Sequence, residues 1–235
     1  MIVVGDYIDK RSKPLWDEIL SSGITIRILE SPEPNYMCRF DDEQAIIYVS
    51  YPPDTASFAH ELLHIKLYKN NIRIGSCLYE AIKINQLEKF FTESTKGVIV
   101  NCMEHVKMLP QFLEMGYQNS QFITDYDSKK LTIREYYSLC QWYKNDQPAA
   151  RDRFIGKYCA MRADNNPFHV YFYLYLLLSI LDRKLYKIVR AFWNEWERCD
   201  VNSNNDEAEG KWVDIINKFV GNISKLVQHL CIEKK

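Results

Sequence analysis

Ser57-Phe58-Ala59-His60-Glu61-Leu62-Leu63-His64-Ile65 is the stretch on which the reading of this chain turns. It contains His-Glu-x-x-His, and the residues around the pattern favour a helix. On a helix, positions i and i+4 share a face, so His60 and His64 can present two imidazoles to one ion. Two nitrogens from one helix supply half of a tetrahedral zinc site. Glu61 follows the first histidine directly, beside the position a metal-bound water would take. There it can act as the general base that accepts the water's proton.

The flanks support this placement. Ala45-Ile46-Ile47-Tyr48-Val49 is β-branched and aromatic and reads as a strand, which Tyr51-Pro52-Pro53-Asp54 interrupts. Asp54 or Thr55 can cap the helix that follows. Phe58, Ala59, Leu62, Leu63, Ile65 and Leu67 are apolar, so the helix is expected to be buried. The plainer alternative is a core helix with two histidines satisfied by hydrogen bonds. Two buried imidazoles beside a buried carboxylate are costly without a strong partner, and this favours an ion.

From Ala45 to Leu67, the strand, the Pro-containing turn and Phe-Ala-His-Glu-Leu-Leu-His resemble the zincin metallopeptidases. Within them the segment is most similar to the ImmA/IrrE-like group, which cleaves repressors of mobile elements and stress responses. The resemblance implies a water-activating zinc and a peptide substrate lying along the edge strand before the helix.

Upstream, Ser12 to Ser22 reads as a short helix with Pro14 near its first turn, and Ile24 to Leu29 as a strand. Met37 to Phe40 and Gln44 to Val49 flank Asp41-Asp42-Glu43, which predicts a hairpin. A small mixed or antiparallel sheet leading into the motif helix follows from these segments.

A catalytic zinc needs a third protein ligand and an open position for water. Downstream, Ser76 is expected to cap a helix through about Thr92 carrying Glu80 and Glu88. Gly97 then opens an apolar helix, closed or kinked by Pro110, with Asn101, Glu104 and His105 in its middle. Glu80, Glu88, Glu104 and His105 are the candidates. Glu104 is chosen, because a polar residue inside an apolar helix needs a reason to be there. A carboxylate from a second helix is also what glutamate-using zincins supply. Asn101 could orient that carboxylate. His105, rotated by about 100° from Glu104, could ligate instead, or stabilise the oxyanion formed when water attacks a carbonyl. A mutual pairing of Glu104 and His105, or of either with a lysine, is the structural alternative.

Composition narrows the classes. The 235 residues carry 30 Lys plus Arg against 31 Asp plus Glu, so nothing suggests a surface made for nucleic acid. The 7 cysteines are scattered without a Cys-x-x-Cys pair, which fits reduced thiols in a cytosol rather than a disulfide framework. Met1 to Tyr7 has no signal-peptide core, and the longest apolar run, Val170 to Leu181, is shorter than a bilayer requires. A cytoplasmic protein with no membrane attachment is expected.

The second half reads as helical. Thr132-Ile133-Arg134-Glu135 is a capping box, Pro148 stands at another helix start, and Asn166-Pro167 begins an aromatic helix with a break at Asp182-Arg183. Phe168 to Leu181 is expected in the core, and His169 and His229 are expected to be structural or solvent-facing. Asp200 to Gly210 reads as an exposed loop, and Trp212 to Leu230 as a last amphipathic helix with a break at Gly221.

The expected fold is therefore α+β: a zincin-like core over 1–117 with a small N-terminal sheet, and a helical region over 118–235 packing on it. Two functions compete. One is a zinc-dependent peptidase acting on a protein or peptide, with His60, His64 and Glu104 holding Zn2+ and with Glu61 and His105 in catalysis. The other is a non-catalytic zincin scaffold that binds a partner protein, which would have no need of Glu61.

Overall fold

A computed structural model of the chain describes residues 3–33, 35–40, 44–145, 149–201 and 206–233. Its architecture is α+β, a three-stranded mixed sheet followed by a mostly helical remainder. The chain groups into two compact units, Met1–Ile72 with Lys107–Asp127, and Arg73–Val106 with Ser128–Lys235.

In the first unit, α1 (Lys13–Ser21) begins with Pro14 in its first turn, where a missing N–H costs nothing. Strands β1 (Thr25–Glu30), β2 (Met37–Phe40) and β3 (Gln44–Val49) form a sheet in the order β1-β3-β2. β2 and β3 pair antiparallel, as the hairpin pattern predicts, with Cys38 opposite Ile47; the turn itself, 41–43, lies outside the described residues. β1 runs parallel to β3, with Ile28 opposite Ile47. The buried positions of β3, Ala45, Ile47 and Val49, alternate with half-buried ones, as a period of two requires.

One expectation is corrected here. β3 is the strand before the motif helix, and it is the central strand, hydrogen-bonded on both sides. A peptide cannot add to it, because its N–H and C=O groups are already paired. The edges of the sheet are β1 and β2.

α2 (Thr55–Lys69) carries the motif and is buried almost all round, from Ala56 to Leu67. It ends at Lys69, and two residues on Asn71 takes a φ of 59° in the left-handed region. Asn71 N–H donates to Tyr68 O and Ile72 N–H to Leu67 O, both at 3.0 Å, closing the last turn.

In the second unit, α3 runs from Ile74 to Ile84, so Ser76 lies inside it rather than capping it. Its end falls short of the expected Thr92. Gln86 takes a φ of 57°, its N–H donates to Lys83 O, and Leu87 N–H donates to Ile82 O. This is the same helix stop as at Asn71, built without glycine. Glu88 consequently lies beyond the helix. α4 (Glu93–Glu114) contributes to both units and continues through Gly97 and Pro110 instead of starting at one and stopping at the other. Proline inside a helix costs about 3 kcal/mol. Ile99, Met103, Met108 and Phe112 are all buried along α4, each contributing about 1.5–3 kcal/mol, and together they outweigh that cost. The helix ends before Gly116, whose φ of 89° suits glycine.

The remaining helices are α5 (Ile133–Lys144), α6 (Ala149–Ala163), α7 (Phe172–Leu181), α8 (Arg183–Arg198) and α9 (Asp206–Glu233). The capping box at Thr132 and Glu135 is present, whereas Pro148 lies outside the described residues. Asn166-Pro167 forms a turn rather than a helix start. Asp164 Oδ1 accepts from Asn166 N–H, Asp164 Oδ2 bonds His169 Nδ1 at 2.7 Å, and Asn166 Oδ1 accepts from Phe168 N–H. Such local side-chain bonds compete with helix formation and delay it to Phe172. The break at Asp182 is present, with its carboxylate capping α8 through Leu185 N–H at 3.0 Å. α9 begins at Asp206, within the stretch expected to be a loop (202–205 lie outside the described residues), and it passes through Gly221 without a break. Trp193, Trp196 and Trp212 are core residues. His169 is structural, and His229 is exposed.

Candidate metal centre

α2 is fixed at its N-terminus by two carboxylates. Asp54 Oδ1 accepts from Ala56 N–H at 3.0 Å and Oδ2 from Ser57 Oγ at 2.6 Å. Asp9, from the segment before α1, accepts Thr55 Oγ1 at 3.2 Å and the Tyr117 hydroxyl at 3.1 Å; that hydroxyl also reaches Thr55 O at 3.3 Å. Burial alone would raise the Asp9 carboxyl, but bonds from Arg11, from the Arg11 and Ser12 backbone and from Tyr117 hold it well below the usual carboxylate range. Burial pushes the Tyr117 phenol up, which keeps its proton available for donation. Arg11 lies 3.9 Å over the Tyr117 ring.

The same tyrosine begins a run of ring contacts that reaches the motif. Tyr117 stacks on Phe112 at 4.8 Å, Phe112 meets Phe122 edge-on at 5.1 Å, and Phe122 lies 4.7 Å from the His60 ring. The His60 ring is thus set against a buried aromatic.

One turn along, the Nε2 atoms of His60 and His64 approach to 3.1 Å, with ring centroids 4.9 Å apart. Two nitrogens bound to one tetrahedral zinc at 2.0–2.1 Å would stand about 3.3 Å apart. The pair therefore matches the spacing a shared ion imposes; with no ion, one ring donates to the other. His105 of α4 completes the group: one ring nitrogen from each of His60, His64 and His105 lies within 4.8 Å of the others. These three imidazoles could hold a metal ion, and imidazole suits zinc, copper, iron or nickel.

Glu61 is buried beside His60 on α2. Glu104, the ligand chosen from the sequence, is half-buried on α4 and is not in the three-residue group. Adjacent residues on a helix point about 100° apart, and of the two it is His105 that has a ring nitrogen in the three-residue group. Glu80 and Glu88 are exposed and stand outside the group. Asn101 is exposed and lines a cleft of about 460 Å³ with Gly75, Tyr79 and Gly97, rather than the histidine cluster.

No protein-family model matches the chain, and no curated protein or solved structure is significantly similar to it. The functional reading therefore rests on the residues themselves.

Asp9, Tyr117 and Phe122 carry the local scaffold of the site, and sequence reasoning missed all three. They are remote from the motif in the chain, with Asp9 and Tyr117 separated by 108 positions, and no local pattern marks them. Among the described residues, no helix is long and apolar enough to cross a membrane. Cys38, Cys77, Cys102, Cys140, Cys159 and Cys199 are all outside disulfides.

Proposed function

We propose that the chain is a zinc-dependent hydrolase that cleaves peptide bonds in a cytosolic protein or peptide, with His60, His64 and His105 as the metal ligands. The observation that supports this most directly is the convergence of two imidazole nitrogens at 3.1 Å on the helix that also buries Glu61. Zinc in such a set lowers the pKa of water to about 7 and polarises a carbonyl. Three neutral ligands leave the ion's full positive charge, which favours that role over a purely structural one.

The residues divide the remaining work. Glu61, as carboxylate, accepts the proton of the attacking water and delivers it to the leaving amine nitrogen. Phe122 and the Tyr117–Phe112 stack hold the His60 ring and keep bulk water from that side. Asp9 and Asp54 fix the start of α2 and hence the rotation of the helix about its axis. Glu104 has no ligand role in this scheme, and the substrate docks elsewhere than on β3.

Purified wild-type protein and Glu61→Gln should both bind about one zinc per chain by elemental analysis. Only the wild type should cleave members of a proteome-derived peptide library, read by mass spectrometry; general acid–base groups contribute about 10²–10⁴-fold. A Glu61→Gln protein that cleaves as fast as the wild type would end the proposal. So would a wild type that takes up no zinc on reconstitution.

A further inference from the structure

Helix α7, Phe172-Tyr173-Leu174-Tyr175-Leu176-Leu177-Leu178-Ser179-Ile180-Leu181, contains no charged residue, yet Leu178 is its one buried residue. The sequence predicted a core helix here; the structure turns much of it to solvent. Phe168, Val170, Phe172, Tyr173, Leu176 and Ile180 are exposed by 84, 72, 69, 74, 51 and 70%. A helix that is apolar all round is ordinarily buried, and scattered single apolar residues would need no explanation. Six in a segment of thirteen do. α5 packs on α7 through the Tyr136 hydroxyl and Leu177 O at 3.3 Å, and it adds exposed Ile133 and Tyr137 one turn apart.

We infer that this face is the contact between two copies of the chain, related by a two-fold axis near the middle of α7. Size and charge both point to a second copy. Aromatic side chains bury on the order of 150–250 Å² each when fully covered, and Phe168, Phe172, Tyr173 and Tyr137 are exposed by 84, 69, 74 and 63%, with Val170, Leu176, Ile180 and Ile133 adding aliphatic area. The exposed set therefore offers on the order of 1,000 Å², against roughly 800 Å² per partner in a stable interface. An isologous contact places every group opposite its own counterpart or a near neighbour. A charged helix would meet like charge across such an axis; α7 meets only apolar side chains and hydroxyls. The charged groups that border it, Asp182 and Arg183, fall at its C-terminal end, away from the axis. Covering the face would also raise the burial of α7 to the level its composition calls for.

None of the residues of this face belongs to the histidine group, so the test does not depend on the metal reading. The full-length wild type should sediment as a dimer of the 27.9 kDa chain at low micromolar concentration. Leu176→Glu and Phe172→Glu should sediment as monomers with unchanged far-UV circular dichroism, since both positions are exposed. Ile84→Glu, at an exposed apolar position on α3, should leave the dimer intact. Leu176→Cys, near the axis, should cross-link to its own counterpart on mild oxidation. A wild type that stays monomeric at about 100 µM would overturn the inference, as would a Leu176→Glu protein that remains dimeric. Monomeric protein that instead binds phosphatidylcholine vesicles through this helix would assign the face to a membrane surface and also overturn it.

Discussion

The Nε2 atoms of His60 and His64 face each other at 3.1 Å across one turn of α2. At that separation both rings cannot be protonated without strong repulsion; two unit charges 4 Å apart already cost about 4 kcal/mol near a protein surface. The pair is stable as a proton-sharing couple or as two ligands of one cation. Protons and metal compete for the same lone pairs.

Metal affinity should therefore fall as the medium is made more acid, because each imidazole must be free of its proton on the ligating nitrogen to bind. With several imidazoles involved, the slope should exceed one proton per unit of pH. Zinc competition titrations between pH 8 and pH 5 measure this. An affinity constant across that interval would contradict a histidine-held ion.

His105 and Glu104 are neighbours on α4, and single substitutions separate them. His105→Ala should lower zinc affinity by more than the roughly 10–100-fold expected for loss of an outer partner. Glu104→Gln should change it by no more than a few-fold. The opposite ordering, read by competition with a chromophoric chelator, would restore the carboxylate to the ligand set.

Phe122 sits 4.7 Å from the His60 ring and is itself buried. Phe122→Leu keeps most of the volume but loses the tilted ring contact that orients the imidazole. Zinc affinity should drop about tenfold, within the range for groups that orient a ligand, while the far-UV circular dichroism is retained. Unaltered affinity would mean that the ring is packing and nothing more.

Asp9 links stability to acid. Its carboxyl is held well below the usual range in the folded protein, despite burial, by Arg11, the Arg11 and Ser12 backbone and Tyr117. A group with a depressed folded pKa stabilises the fold above its unfolded value, about 3.9, and the contribution is lost as pH falls through the folded value. The wild type should lose stability steeply below about pH 4. Asp9→Asn should be less stable at pH 7 and show a shallower decline in the same window. Parallel urea-denaturation curves at pH 7, 5 and 3.5 would refute this if the two proteins kept a constant difference.

What could be read from the sequence was what is local. His60, Glu61 and His64 fall within five residues, and their helix follows from Asp54, the apolar run and the absence of a breaker. The alternation in β3 and the capping box at Thr132 are equally short-range. Strand order was not legible, because the parallel pairing of β1 with β3 depends on contacts between distant segments. The stop of α3 at Gln86 was hidden because a glutamine takes the left-handed position where glycine is the usual signal. The choice between Glu104 and His105 turns on a rotation of one residue about a helix axis, which composition does not encode. Helix α7 misled for a different reason: apolar character reports a need for cover, without saying whether the same chain supplies it.

The central place of β3 bears on how the protein breathes. Edge strands exchange their amide hydrogens through small fraying motions, whereas a strand flanked on both sides opens only when the sheet comes apart. Because α2 follows within a few residues of that innermost strand and is itself buried almost all round, the amides around the two histidines should be among the slower to exchange in their unit. A cation gripped there would be released by large-scale unfolding rather than by the flicker of a loop.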